Sequence, residues 1–303
     1  MRAHVWTVAT VIMTLAGCRD NGAGRMDSTH GSLPPVFPGS PLASTNWDSE
    51  AGPLMILATT AGDTASVVLP EATDSTITSF QGITPPIAAL TFDLFGRGGK
   101  LESGASVLVL PAVDSSAGCS SWPRARVRTA VANWRVGFVS HRVIDVKVDS
   151  IEALPSADSA VLAAAITQTA ATLPVAADPA FRGLPFRVRS AYSFTLDSVD
   201  VVIADIVRSL NEEANPRIEH LTIIGERPAT SRGKFDAAYY ARTAGAEEST
   251  QVTDILAVVE IGKDRHPVVV VGMESENGGR VALIERVGPS RWNLTWRSAY
   301  TDC

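Results

Sequence analysis

The sequence has little positive charge and very few lysines. Its 303 residues include 26 lysines and arginines against 32 aspartates and glutamates, which gives a formal net charge of -6. The lysines are Lys100, Lys147, Lys234 and Lys263. Because non-specific nucleic-acid binding requires a basic surface, this charge argues against nucleic acid as a partner.

The sequence also lacks the short motifs of common enzyme classes. It contains no G-x-S-x-G nucleophile elbow, no H-E-x-x-H zinc motif, no G-x-x-x-x-G-K-[ST] phosphate loop and no C-x-x-C pair. The glycine-rich run from Gly96 to Lys100 has the wrong spacing for a phosphate loop and is expected in a hairpin. We therefore predict no catalytic residue, no metal site and no cofactor.

Long apolar runs are absent as well, and the N-terminal one is short. Residues 5–15 (VWTVATVIMTL) carry no charge and follow a weakly basic start with Arg2. A helix that spans a bilayer needs about 20 apolar residues, and here Arg19 and Asp20 end the run. The pattern is typical of a signal peptide rather than a permanent membrane span.

The residues after this run, Leu15-Ala16-Gly17-Cys18, resemble the bacterial lipobox. The resemblance implies that diacylglycerol is attached to the Cys18 thiol, that residues 1–17 are removed, and that acyl chains such as palmitate anchor the protein. The alternative is an ordinary secretory signal with an incidental cysteine. Arg19 in place of aspartate favours the outer membrane over retention in the inner membrane of the cell envelope.

The composition of the remaining chain is that of a folded protein. Hydrophobic residues make up 45% and charged residues 19% of the sequence, which is a globular balance. Residues 18–53, rich in Asn, Gly, Ser, Thr and Pro, are expected to form a flexible tether after the lipidated cysteine. We predict a β-rich domain at 54–150, a helix and linker at 151–184, and a second β-rich domain at 185–303.

Two further cysteines, Cys119 and Cys303, remain after lipidation of Cys18. An even number of cysteines in a chain exported to an oxidising compartment favours a disulfide between them. Two free thiols, buried or terminal, are the alternative.

Short runs of apolar and β-branched residues, separated by turn residues, predict strands along both halves of the chain. No alternation of strands and helices indicates a doubly wound sheet. The fold class is therefore mainly β, with antiparallel sheets in a propeller-like, sandwich or barrel arrangement. The predicted strands are 54–60, 65–69, 87–95, 105–110, 125–131, 134–140, 143–149, 186–195, 217–226, 235–242, 252–261, 267–273, 279–287 and 291–299.

One helix is predicted at 156–173, where the sequence is rich in alanine and Ser156 or Asp158 can serve as the N-cap. Residues 199–210 fit helical spacing but have the β-branched content of a strand, which we favour slightly. Trp292, Leu294 and Trp296 alternate with polar residues, so we expect all three on one face of the last strand. The unbroken valines at 268–271 predict a central strand covered on both sides.

Residues 252–300 loosely resemble the FG-GAP and VCBS-type repeats of β-propellers, through VVEIGKDRHPVVVVGMESENGGRVALIERVGPSRWNLTW. The resemblance implies a β-meander. In that family regularly spaced aspartates bind calcium, but this loop offers only Glu260 and Asp264. Because calcium takes six to eight oxygen ligands, we predict no calcium site.

Two groups of residues are candidates for a functional site. Arg124, Arg126 and Arg128 alternate along a predicted strand beside Trp122, which places three guanidinium groups on one face. They form either a patch that binds carboxylate or phosphate groups of envelope glycans or lipids, or a solvated face paired with aspartates. Arg187 and Arg189 make a shorter stripe.

The histidines form the second group of candidates. A zinc or catalytic site would need several of them to meet a carboxylate. His141 with Asp145, or His220 with Glu219 and Glu226, could provide such a meeting, while isolated surface or edge-strand histidines are the commoner arrangement.

The sequence therefore predicts a membrane-anchored envelope lipoprotein of unknown activity, most simply a non-enzymatic binding or assembly module. Its partners would be the membrane, through the lipid, and an unidentified envelope protein, glycan or lipid. An envelope hydrolase with a site assembled from scattered residues is one alternative. A carrier of a hydrophobic ligand inside a closed sheet is the other.

Replacing Cys18 tests the predicted anchor directly. Cys18→Ala should abolish acylation and move the protein from the membrane fraction to the soluble fraction or to uncleaved precursor, because the thiol is the acceptor of the diacylglycerol. Mass spectrometry of the N-terminal peptide, together with fractionation, measures both effects. Cys119→Ala is the matched control and should keep the lipid; an unmodified Cys18 in the wild-type protein would refute the prediction.

Overall fold

Antiparallel strands contain most of the residues that the structure describes. The computed structural model describes residues 54–59, 63–68, 90–110, 122–174, 178–210, 215–261, 265–276 and 278–301, and all of them belong to one unit. The elements are β1 Met55–Ala58, β2 Thr64–Val67, β3 Thr91–Gly96, β4 Gly99–Val109, β5 Arg124–Arg128, β6 Val136–Val139, β7 Val143–Asp145, β8 Asp149–Ser150, α1 Ser156–Ala171, β9 Arg187–Leu196, β10 Val199–Leu210, β11 Arg217–Pro228, β12 Asp236–Ala246, β13 Val252–Ile261, β14 His266–Ser275, β15 Gly278–Gly288 and β16 Arg291–Arg297.

The first six strands close into a barrel in the order β1-β2-β5-β4-β3-β6. Its interior is filled by side chains, among them Phe92, Leu94 and Trp134, as expected for a barrel with so few strands. The β3–β4 hairpin turns through Arg97 and Gly98, and Gly99 follows with a φ of +127° that favours glycine. The glycine-rich run is thus a hairpin turn, as predicted.

Two five-stranded antiparallel sheets follow the barrel. The inner sheet has the order β16-β15-β14-β13-β7 and the outer sheet the order β12-β11-β10-β9-β8. Each is a meander of four consecutive strands, extended at one edge by a short strand from residues 143–150. The mainly β, antiparallel fold class is confirmed, and the division of the chain into domains stays a prediction.

Buried clusters show that these parts stack in four layers: barrel, inner sheet, outer sheet and helix. Phe95 and Phe138 of the barrel pack with Val259 and Val270 of the inner sheet. The other face of the inner sheet packs on the outer sheet, and α1 covers the remaining face of the outer sheet. Both sheets are therefore covered on both faces, which explains why their central strands are apolar on both sides.

Coverage of the outer sheet on both faces explains why residues 199–210 fit both a helix and a strand in the sequence. It is strand β10, and its residues alternate between the inner-sheet side and the helix side, with both sides buried. An apolar run of this kind satisfies helical spacing without being a helix. Residues 268–271 are buried throughout, as expected for a central strand.

Two details of the sequence interpretation are corrected by the structure. The helix begins at Ser156 with Pro155 as N-cap and without a side-chain cap, so neither Ser156 nor Asp158 caps it. In β16 the register with β15 shifts between Leu294 and Trp296. This bulge turns Trp296 toward the barrel, whereas Trp292 packs toward the outer sheet.

A glycine inside the barrel gives a test of its packing. A Cβ at Gly137 would lie 2.8 Å from Cγ1 of Ile56 and 2.9 Å from Cδ2 of Leu94. We expect Gly137→Ala to lower the free energy of unfolding by about 1–3 kcal/mol through overpacking, measured by urea denaturation. Gly233→Ala, whose Cβ would meet only Ser231 Oγ at 3.6 Å, should change it by less than about 0.5 kcal/mol. Equal effects of the two substitutions would contradict the described packing.

Candidate anion-binding face

The three arginines of β5 point away from the barrel interior. Buried and exposed residues alternate along this strand, with Arg124, Arg126 and Arg128 exposed and Ala125 and Val127 buried in the barrel core. Residues two apart on one strand face are separated by about 7 Å, so the row extends over roughly 13 Å. The predicted stripe is therefore present as a row of three guanidinium groups on one surface.

The closed order of the barrel explains why this row does not face the inner sheet. Strand β6 is buried along its whole length, and its Val136 and Phe138 pack toward the inner sheet. Strand β5 stands three positions from β6 in the ring of six strands, in either direction. The arginine row therefore lies on the side of the barrel opposite the one that contacts the inner sheet.

We use the name arginine face for Arg124, Arg126, Arg128 and the residues paired beside them on β2 and β4. Ser66 lies beside Arg124, Thr64 and Leu108 lie on either side of Arg126, and Ser106 lies beside Arg128. Small hydroxyl side chains on the flanking strands leave the longer arginines standing above them. Leu108 is 59% exposed in the middle of the row.

Ion pairs on this face are few within the described ranges. Among the described residues, the three arginines form one ion pair, between Arg126 and Asp63 at 4.0 Å, and both side chains are well exposed. Exposed pairs of this kind contribute about 0–1 kcal/mol, so Arg126 can exchange Asp63 for another anion. Trp122, expected beside the row, is instead buried toward the inner sheet.

The two arginines of the shorter stripe, Arg187 and Arg189, lie in different environments. Arg189 Nη1 donates to Asp205 Oδ2 at 2.9 Å, while Arg187 is exposed. Asp205 is buried and its other oxygen lies 3.3 Å from His220 Nδ1. Arg189 therefore pairs with the buried carboxylate of Asp205 and does not extend the arginine face.

The histidines do not meet the carboxylates proposed for them. His220 faces Asp205, while Glu219 lies on the opposite face of β11 and binds Arg208 Nε at 2.5 Å. His141 donates its backbone N–H to Asp93, whereas Asp145 accepts the backbone N–H of Lys100. The sequence contained no signal for the Asp205–His220 contact, because it depends on the pairing of β10 with β11.

Glu219 belongs to a buried polar group on the helix side of the outer sheet. Arg242 Nη1 lies 3.5 Å from its second oxygen and donates through Nη2 to the carbonyl of Pro174. The Arg208 guanidinium carbon lies 4.6 Å from the centre of the Phe186 ring. These contacts hold the connection between α1 and β9 against the outer sheet, so we assign these residues a structural role.

Glu226 is the most heavily hydrogen-bonded carboxylate among the described residues. Oε1 accepts from Arg286 Nε at 2.7 Å and from Trp292 Nε1 at 2.6 Å, and Oε2 accepts from Arg286 Nη2 at 3.0 Å and the Ser290 N–H at 2.9 Å. These contacts join β11 of the outer sheet to the β15–β16 hairpin of the inner sheet. Burial alone would raise the pKa of Glu226, but the hydrogen bonds and the charge of Arg286 hold that pKa below its ordinary value.

Glu226→Gln should therefore destabilise the protein and change its response to acid. Because the folded-state pKa is lowered, the stabilisation is present above the ordinary value of 4.5 and is lost as pH falls through the folded-state pKa. At pH 7 we expect the free energy of unfolding of the variant to be about 3 kcal/mol lower than that of the wild type. Between pH 5 and pH 3 the free energy of unfolding of the variant should fall by less than that of the wild type. Urea denaturation at several pH values measures both, and the exposed Glu274→Gln is the control. Parallel pH profiles for wild type and Glu226→Gln would contradict this role.

Three of the predicted site residues, Cys119 and Cys303 of the expected disulfide and Cys18 of the expected lipidation, lie outside the described residues. Within the described ranges, no group of three or more His, Cys, Asp or Glu side chains is placed to hold a metal ion, and no helix there has the length and apolarity to cross a membrane. Comparison of the chain with protein-family models, curated proteins and solved structures found no match.

Proposed function

We propose that this protein is a lipid-anchored, non-enzymatic binding module of the bacterial cell envelope, held at the outer membrane through Cys18. Its binding surface is the arginine face, which takes phosphate or carboxylate groups of an envelope glycan, lipid or protein. The observation that carries the proposal is the exposure of Arg124, Arg126 and Arg128 in one row, on the side of the barrel that faces away from the inner sheet.

The chemistry of the row suits a ligand with several acidic groups. A guanidinium presents a planar fork of N–H donors that matches the two oxygens of a carboxylate or phosphate. Three such forks at intervals of about 7 Å can bind separate acidic groups of one extended molecule. Each exposed contact is weak, so affinity comes from using several at once.

The acidic character of the chain supports the same proposal. With a net charge of -6, the protein as a whole repels polyanions. A local row of arginines on such a protein therefore fixes which surface meets an acidic partner.

Charge-removing substitutions on the arginine face test this function. The triple variant Arg124→Gln, Arg126→Gln, Arg128→Gln should bind soluble polyphosphate or polygalacturonate about 100-fold more weakly than the wild type, which corresponds to about 1 kcal/mol per arginine. Calorimetric titration at low ionic strength measures the affinity. Binding should also weaken toward 0.15 M salt, where the screening length is about 8 Å.

The control triple variant carries Arg182→Gln, Arg232→Gln and Arg265→Gln, three exposed arginines elsewhere on the surface. It loses the same charge and should keep wild-type affinity. Equal weakening by both triple variants would show that only net charge matters. The absence of polyanion binding by the wild-type protein would refute the proposed function.

A further inference from the structure

We propose that the arginine face binds the anionic surface of the membrane that holds the lipid anchor, with Leu108 entering the layer between the headgroups. This inference rests on the proposed function, because it takes both the lipid at Cys18 and the anion-binding role of the face as given. It goes further by naming the partner as the bilayer itself. The face would then set the orientation of the folded part on the membrane.

The mixture of charge and apolar surface on this face is the first argument for a membrane. Leu108 is the Cα partner of Arg126 across the β4–β5 pair, and each side chain is 59% exposed. A hydrophilic polyanion offers nothing to an exposed leucine. The interface of a bilayer offers phosphates to cations and acyl chains to apolar side chains at nearly the same depth.

The shape of the barrel permits such contact. The row lies on the side of the barrel opposite the inner sheet, as the positions of β5 and β6 in the ring require. Arg124 and Arg128, at the two ends of the row, are paired with the short side chains of Ser66 and Ser106. Neither five-stranded sheet therefore lies between the three arginines and a surface that approaches this side of the barrel.

The predicted tether brings this face within reach of the membrane. A tether of 36 residues, as predicted for 18–53, would have a root-mean-square length of about 33 Å. The folded part begins at β1, and β5 lies two strand spacings away through β2, or about 10 Å. An anchor of this length gives the arginine face an effective concentration near the millimolar range at the membrane surface. A weak affinity of the face for the membrane is then sufficient for binding.

Charge also orients the molecule. Each arginine close to an anionic membrane surface raises the affinity for that surface about fivefold. The same surface repels the remainder of a protein whose net charge is -6. The orientation with the arginine face toward the bilayer is therefore favoured by attraction on one side and by repulsion on the others.

Chemical footprinting of the lipidated protein tests the inference. The protein is reconstituted in vesicles of phosphatidylcholine alone or with a third of phosphatidylglycerol, and arginines are modified with a water-soluble dicarbonyl reagent and quantified by peptide mass spectrometry. We expect Arg124, Arg126 and Arg128 to react about tenfold more slowly on anionic vesicles than on neutral ones. Arg182, Arg232 and Arg265 should react equally on both.

A leucine substitution separates the membrane from other anions. Leu108→Ser should reduce the protection on anionic vesicles several-fold and leave protection by soluble polyphosphate unchanged. Val161→Ser, at a valine of α1 that is 58% exposed, should alter neither. If Leu108→Ser leaves the vesicle protection intact, the proposed entry of Leu108 into the bilayer is wrong.

The outcomes distinguish this inference from the proposed function. Equal modification of the three arginines on neutral and anionic vesicles, together with protection by polyphosphate, would overturn membrane binding and leave an anion-binding module with another partner. Lack of protection by both vesicles and polyphosphate would overturn the proposed function as well.

Discussion

The fold depends on burying both faces of two five-stranded sheets between a barrel and a helix. Apolar stacking holds the layers together, and a polar anchor fixes each interface. Arg97 on the β3–β4 turn binds both oxygens of Asp254 at 2.7 Å and joins the barrel to the inner sheet. Glu226 joins the inner sheet to the outer sheet, and Thr169 Oγ1 accepts the N–H of Phe235 at 3.1 Å to join the helix. Glu226 and Thr169 are buried and need such partners, so their contacts favour one alignment of the layers that they join.

This arrangement determines where a binding surface can be. The inner sheet is covered on both faces, and the outer sheet is covered by the inner sheet and by α1. Within the described part of the chain, the outer wall of the barrel around β5 is one sheet surface that these layers do not cover. The sequence places Arg124, Arg126 and Arg128 there instead of the valines and isoleucines found elsewhere. Cations on an uncovered surface of an acidic protein favour a role in binding.

Local sequence predicted much of this fold and little of its assembly. Apolar and β-branched runs between turn residues predicted the strands, and alternation of residues two apart predicted the arginine row. The order of the barrel, the coverage of β10 on both sides and the contact of His220 with Asp205 depend on residues far apart in the chain. The bulge that places Trp292 and Trp296 on opposite faces could not be predicted either. One extra residue reverses the face of the following side chains, and the composition of the strand does not show it. Glu226 carried no motif, and its importance comes only from its four donors.

The central claim is that the arginine face is where this protein meets an anion. Nuclear magnetic resonance of the arginine Nε–Hε groups during titration with short-chain polyphosphate tests it most directly, because each guanidinium reports its own contact. The account predicts that Arg124, Arg126 and Arg128 shift together at the lowest concentrations, before Arg182, Arg232 and Arg265. Shifts spread evenly over both groups, or confined to the second, would contradict it.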